Sequence, residues 1–382
     1  MKKYVDISGF NINYANRGNS ALSYGTINFL LQKGLLKKGQ ELVKYIPYKN
    51  YLKLSHYFPQ KEEVLIMNEK WVINYVPVFI VERFLLLKWH IVLPFTVFGR
   101  FVHQTEYEAA DYGGDGFSDI YGDTLFMSRL SQTFLLKNAK VPLILLPMTI
   151  GPFKKDYNYR IAKEILLYAS KIYVRDDRYV DQLKDIGVEF EQEKDLSAYM
   201  IPEEWDFHAE KNSVGINVSG LAYSNRFPNL EGQFDSYPEL IDSLICHFLN
   251  IGCHVYLIPH SYNFYHPEEN NDDMVACRMA YERQKGNRNV TLLDMDLTSP
   301  RVKYVISQMF FFIGTRMHAN FAAIFTNTPV FGLAYSYKFE GAFLANGIDP
   351  IEHTQMINYL PSNKIDDVIR KIDLCYNKYQ SK

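Results

Sequence analysis

At 382 residues, 47% hydrophobic and 22% charged, the chain has the make-up of a soluble globular protein with length for about two or three domains. Its 41 basic and 43 acidic residues nearly cancel, which removes the electrostatic footprint that a nucleic-acid partner requires. The four cysteines, Cys246, Cys253, Cys277 and Cys375, form no CxxC pair and no finger-like spacing with histidine, so neither a zinc site nor a disulfide framework is expected, and a reducing cytoplasm fits the chain.

Met1 to Asn11 is too polar for the apolar core of a signal peptide, which again points to the cytoplasm. A strand is predicted over Tyr4–Gly9, then the turn Asn16-Arg17-Gly18-Asn19-Ser20, then a helix over Ala21–Leu36 with Leu22, Ile27, Leu30 and Leu31 at helical spacing. Trp71 to Val102 is rich in apolar residues, but Glu82, Arg83, Lys88, His90 and two prolines interrupt it. No run approaches the ~18 to 20 apolar residues of a spanning helix. Its mixture of Trp, Phe, Lys and Arg suits docking at a lipid interface, while a buried helix and strand of the first domain is the simpler expectation.

Further along, a strand over Ala109–Tyr112 leads into Gly113-Gly114-Asp115-Gly116-Phe117-Ser118-Asp119 and a helix over Thr124–Asn138. Val141–Ile150 reads as a strand ending at Gly151-Pro152, Tyr157–Ala169 as a helix, Lys171–Arg175 as a strand and Asp177–Ile186 as a helix. The pattern lapses around residues 201–212 and restarts with strands at Val214–Val218, His254–Pro259, Val290–Leu293, Phe310–Gly314 and Val330–Ala334. Helices at Tyr237–Asn250, Asp272–Gln284, Arg301–Met309 and from Ala319 alternate with them, and a last helix covers about Ile365–Tyr376. Such a βα series packs as a parallel sheet with helices on both faces. The expected architecture is α/β, with two Rossmann-like doubly wound domains facing a cleft, residues 1–205 and 206–362, and a closing helix over 363–382.

The segment Phe310 to Phe325 carries the sharpest chemical signal. An apolar strand breaks at Gly314 and a helix begins, so Arg316 and His318 fall at a strand-to-helix turn, where backbone N–H groups and the helix dipole favour a carboxylate or phosphate. Elsewhere the bland readings compete. Asn16 to Ser20 holds either an anion or sugar hydroxyl or only a tight connection. Gly113-Gly114-Asp115-Gly116 with Asp119 offers close backbone approach and two carboxylates, or a helix start rich in acidic caps. Arg175-Asp176-Asp177 supplies a second cation or a local ion pair. His260, His266, Asp272 and Asp273 match no tight metal spacing and read as a solvated active-site loop. Asp294-Met295-Asp296 resembles a metal-holding DxD triplet, but precedes a helix start where aspartates cap.

Taken in order, Tyr112 to Asp119, Pro147-Met148-Thr149-Ile150-Gly151-Pro152, Val174-Arg175-Asp176-Asp177 and Ile313-Gly314-Thr315-Arg316-Met317-His318-Ala319 resemble the polysaccharide pyruvyl transferase family. The resemblance spans most of the chain. It implies a GT-B-like pair of domains and transfer of the pyruvyl group of phosphoenolpyruvate onto two hydroxyls of a sugar, giving a cyclic ketal. It also implies that Arg316, Met317 and His318 contact phosphoenolpyruvate, with Arg175 as a second anion clamp. Asn16, Asn19, Gly114 and Asp115 are the matching acceptor-side candidates, His318 the candidate acid, and Asp115 or Asp119 the group accepting a hydroxyl proton. The turn here lacks the acidic residue that often follows Gly18 in the family, and the middle loop reads Gly-Gly-Asp instead of three glycines, departures that bear on the acceptor more than the donor. No cofactor and no metal are expected. The expected partners are phosphoenolpyruvate and a galactose-type acceptor, including a polyprenyl-diphosphate-linked form at the inner face of the cell membrane, where peripheral contact would follow. Two other readings stand beside this one: a glycosyltransferase of the same shape using a nucleotide sugar, and a non-catalytic carbohydrate-binding partner in a polysaccharide pathway, against which Arg175, Arg316 and His318 argue.

Overall fold

Short β-branched runs alternating with helical segments build two sheets in the computed structural model, which describes residues 3–48 and 58–380. Residues 1–11 and 22–200 form one compact unit; residues 12–21 and 201–382 form the other.

The first unit contains β1 (Tyr4–Ser8), most of α1 (Arg17–Gln32), β2 (Leu42–Tyr48), β3 (Gln60–Ile66), β4 (Glu69–Phe79), α2 (Ile80–Trp89), α3 (Val97–Val102), β5 (Thr105–Ala110), α4 (Asp123–Asn138), β6 (Leu143–Met148), α5 (Asp156–Tyr168), β7 (Lys171–Val174), α6 (Val180–Ile186) and β8 (Glu191–Gln192). Its strands lie in the order β3-β4-β2-β1-β5-β6-β7-β8, all parallel except the β3–β4 pair. Continuous burial of β1 and β6 is what a parallel sheet covered on both faces demands. The strand order reverses between β1 and β5, so the loops after those strands frame the switch point where open α/β sheets bind ligands.

One feature of this sheet is polar. Asp6 and Glu108 sit side by side in register, both buried, with Ser8 Oγ 2.5 Å from Glu108 and 3.1 Å from Asp6. Burial pushes both carboxyls up, Glu108 to about 7, and the Glu108 charge raises Asp6 further. The folded state therefore holds protons that the unfolded chain has released, so stability falls as pH rises from the ordinary carboxylate range towards 7. Urea unfolding midpoints of the native chain are expected to drop between about pH 5 and pH 8, and to drop less in Asp6→Asn. Equal slopes in the two proteins would contradict this account.

The Trp71 to Val102 expectation needs correction. The strand is buried as expected, with Trp71, Ile73, Val76 and Val78 inside. Helix α2 is not: it buries only Glu82 and Leu86 and exposes Ile80, Val81, Phe84 and Leu87. Periodicity reveals which face of a helix is apolar, not whether anything covers that face. Among the described residues no helix is long and apolar enough to cross a membrane.

The second unit contains β9 (Ser213–Asn217), α7 (Gly220–Ser224), α8 (Tyr237–Asn250), β10 (His254–Leu257), α9 (Asp273–Arg283), β11 (Val290–Leu292), α10 (Ser299–Ser307), β12 (Phe311–Gly314), α11 (Met317–Ile324), β13 (Val330–Ala334), α12 (Lys338–Ala345), α13 (Pro350–His353), β14 (Thr354–Met356) and α14 (Ile365–Gln380). The sheet is parallel throughout, in the order β11-β10-β9-β12-β13-β14. Alternation along the strands divides the core. Val255, Leu257, Phe311 and Ile313 pack with residues of α8, α9 and α14, whereas Tyr256, Phe312 and Val330 pack with residues of α10, α11 and α12. The order reverses between β9 and β12, and the residues just beyond those two strands build the candidate site.

Candidate active site

β12 ends at Gly314, and Arg316 occupies the N-cap position of α11 with extended backbone dihedrals. Its backbone N–H donates to Asn217 Oδ1, at the end of β9, over 2.8 Å. That bond ties the two strands together at the reversal. The first turn of α11 presents the N–H groups of Met317 and His318 without intrahelical acceptors, as every helix start does.

The Arg316 guanidinium is buried and anchored along one edge. Nε and Nη2 donate to Asp273 Oδ1 over 3.0 and 2.7 Å, and Nη2 also reaches the Asn271 side-chain and backbone oxygens. Nη1 has no protein partner among the described residues. Asp273 is a fully buried hub that also accepts from the backbone N–H groups of Gly220, His260 and Ser261 and from Asn217 Nδ2. A carboxylate so saturated fixes the plane of the guanidinium and leaves one nitrogen to meet an anion.

His318 follows two residues later and packs against the first turn of α1. A Cβ built on Gly18 would lie 2.5 Å from His318 Nδ1, so only glycine at 18 leaves room for this imidazole. Beside it, Arg17 is buried, donates to Asp296 Oδ1 over 2.6 Å, and lies 4.4 Å from the Tyr262 ring centroid. His260 is buried too. Burial, and then the positive charges of His318, Arg316 and Arg17, hold its imidazole well below the usual histidine range. His260 is therefore neutral near pH 7, and the permanent cations beside it, the Arg316 and Arg17 guanidinium groups, are each paired with a carboxylate. A recess of about 270 Å³ includes Gly220 and Asp272, the immediate neighbours of the Asp273 hub.

Several residues that the sequence suggested as ligands turn out to be supports. Asn16 Oδ1 accepts the Gly18 N–H and so caps α1, while Asn19 is exposed on its first turn. Residues 265–269, His266 among them, form the exposed loop expected, but His260, Asp272 and Asp273 at its ends are buried, and Asp272 caps α9 by accepting from Met274 and Val275. Among the described residues neither Asp294 nor Asp296 caps a helix: Asp294 pairs with Arg278 and Asp296 with Arg17.

The first unit gathers Arg175, Gly114 and Asp115 at the ends of its strands. Arg175 Nη1 donates to Asp195 over 2.7 Å and Nε to Thr149 Oγ1 over 3.0 Å, while Nη2 has no protein partner among the described residues. A Cβ on Gly114, whose φ is +64°, would lie 2.9 Å from Arg175 Nη1. Asp115 accepts from Tyr121 over 3.0 Å. Asp111 was missed in the sequence. It is buried, and burial chiefly, against the N–H of Gly113, pushes its carboxyl up to about 6. Asp119 is a correction. Burial would raise it, but the Lys154 and Lys155 N–H groups and Asn158 Nδ2 together hold it below the usual carboxylate range, so it anchors the start of α5 and is poorly suited to accept a proton. Among the described residues, no group of three or more His, Cys, Asp or Glu side chains is placed to hold a metal ion.

Comparison with known proteins adds family and fold. The profile of the family described as polysaccharide pyruvyl transferase matches residues 16–337. Among solved structures, UDP-GlcNAc 2-epimerase from Methanocaldococcus jannaschii aligns with a TM-score of 0.55 at 8% identity, over 99% of this chain and 93% of that one. An Anabaena protein in complex with UDP and glucose gives 0.48 at 10% identity, over 100% and 94% of the two chains. The E. coli heptosyltransferase WaaC with ADP gives 0.46 at 11% identity, over 98% and 99%. At such identities the likeness concerns the fold alone, and the epimerase match agrees with the two parallel-rich α/β sheets of a GT-B-like chain.

Proposed function

The chain belongs to the polysaccharide pyruvyl transferase family, and on that premise we propose that it transfers the pyruvyl group of phosphoenolpyruvate to two hydroxyls of a sugar, releasing phosphate. The observation that carries this reading is the Arg316 anchor: a guanidinium held on Asp273 with Nη1 left over, two residues from His318 at a helix start. A planar fork beside helical N–H groups recognises a small molecule bearing both carboxylate and phosphate. Arg175, which gives Nη1 to Asp195 and Nε to Thr149, offers a second anion contact.

The chemistry then follows from charge and position. His318 delivers a proton to the methylene carbon of the enol, leaving an oxocarbenium-like C2 that one sugar hydroxyl attacks. The second hydroxyl forms the other C–O bond as the C2–O bond to phosphate breaks. Two hydroxyl protons are lost; one replaces the proton spent on carbon and the other leaves with phosphate, so the reaction is balanced without an oxidant or reductant. Asp115 is assigned as acceptor of a hydroxyl proton, with Asn19 and the Gly114 backbone on the acceptor side. The acceptor is a galactose-type residue, with the polyprenyl-diphosphate-linked precursor as its membrane-bound form.

Incubation with phosphoenolpyruvate and candidate galactosides, soluble and lipid-linked, tests the reading through phosphate release and the mass of the ketal. Turnover of a nucleotide sugar with no consumption of phosphoenolpyruvate would replace it with a glycosyltransferase. Calorimetry tests the donor contacts. Arg316→Lys is expected to weaken phosphoenolpyruvate binding nearly as much as Arg316→Ala, by about 2 to 5 kcal/mol, because an ammonium cannot reproduce the fork. Native affinity in both Arg316→Ala and Arg175→Ala would remove the donor assignment.

A further inference from the structure

We propose that helix α2 and the turn that follows it form a docking face for a bilayer carrying anionic headgroups. The helix is amphipathic with its apolar stripe outward. Ile80, Phe84 and Leu87 recur at helical spacing on α2 and are exposed, as is Ile91 just past the helix end, whereas Glu82 and Leu86 are buried. The Trp89 ring, 53% exposed, meets that of Phe84 edge-on with centroids 5.2 Å apart, and Phe95 in the following turn is 76% exposed. A contiguous group of large apolar side chains left in water marks an interaction surface, not a core.

Charge identifies the occupant. From residue 80 to residue 104 every exposed permanent charge is positive, on Arg83, Lys88 and Arg100. The one carboxylate in the stretch, Glu82, is buried and accepts the Phe79 N–H over 2.9 Å. The Lys88 ammonium sits 5.3 Å from the Phe84 ring centroid and 5.2 Å from that of Trp89. Aromatic rings at the acyl boundary with cations level with the phosphates are the arrangement an interfacial helix requires. A second copy of the chain fits poorly, since a two-fold interface would set these cations against one another. The inference stands on this surface alone and does not depend on the reaction proposed above.

The test uses the full chain with phosphatidylcholine vesicles prepared with and without phosphatidylglycerol, read by co-sedimentation and by tryptophan emission. Anionic vesicles are expected to retain the native chain about tenfold better than neutral ones, less so at high salt. Trp89 emission, isolated by comparison with Trp89→Phe, is expected to shift to the blue. Phe84→Ser with Trp89→Ser should lower retention about tenfold, and Arg83→Glu with Lys88→Glu should abolish the preference for anionic lipid. All four positions are exposed, so thermal unfolding should stay native in both variants. Absence of native-chain binding to anionic vesicles would overturn the proposal. So would undiminished retention of both variants, or self-association lost on Phe84→Ser with no vesicle binding.

Discussion

Asp273→Ala is expected to destabilise the chain by about 3 to 5 kcal/mol, because it leaves Arg316 as a buried charge with no counter-ion. The loss is compounded by the backbone N–H groups of Gly220, His260 and Ser261, which all donate to the same carboxylate. Asp273→Asn keeps the shape and an acceptor oxygen but loses the charge, so an intermediate loss is expected. Chemical unfolding measures both. A cycle with Arg316→Ala apportions the effect: once the guanidinium is gone, removing Asp273 should cost much less than it does in the native chain. Additivity within about 0.5 kcal/mol would show that the two side chains act independently. Since Asp273 also orients the guanidinium, donor affinity should fall in Asp273→Asn even where the chain is fully folded.

This dependence explains what was and was not legible in the sequence. Arg316 and His318 could be placed at a strand-to-helix turn because the apolar run breaks at Gly314 and the pattern changes period, both local signals. Asp273 lies 43 residues from Arg316, and locally it looks like any acidic residue in the first turn of a helix. Only the neighbouring positions of β9, β10 and β12 bring it to the guanidinium. Asp296 reads as a helix cap for the same reason, yet it holds Arg17, 279 residues away. His260 was legible only as part of a solvated active-site loop; its burial comes from its place just beyond β10.

Parallel core strands such as β6, β9, β10, β12 and β13 were readable as apolar runs, since burial on both faces leaves little alternation to interpret. Interior β2, interrupted by Lys44 and Pro47, had no predicted counterpart, and β5, with Glu106 and Glu108, was placed at Ala109–Tyr112. The edge was harder. The β3–β4 hairpin and the short β14 mix exposed and buried positions too irregularly to stand out. Asp119 shows the opposite failure, a residue singled out by its company with glycines but committed to the start of α5 by three donors that the sequence does not reveal.

His318→Gln is expected to lower turnover by about 10² to 10⁴-fold, the usual worth of a positioned general acid, while leaving donor binding measurable. Glutamine fills much of the same space against Gly18, whose missing Cβ makes room for the imidazole, so the contact with the first turn of α1 need not collapse. What glutamine lacks is a proton to give to carbon. Because the acid must start protonated, native kcat should fall as pH rises and the imidazole empties, and this alkaline limb should vanish in His318→Gln. His260 is a poor alternative source: burial and the surrounding positive charge keep it neutral, so it has no labile imidazolium proton near pH 7. A His318→Ala variant with the same loss in turnover but a much larger loss in donor affinity would separate the proton from the packing. Near-native kcat in His318→Gln, or native kcat unchanged from about pH 6 to pH 9 with chemistry shown to limit the rate, would take histidine out of the mechanism and leave Asp115 and Asp111 as the groups to examine.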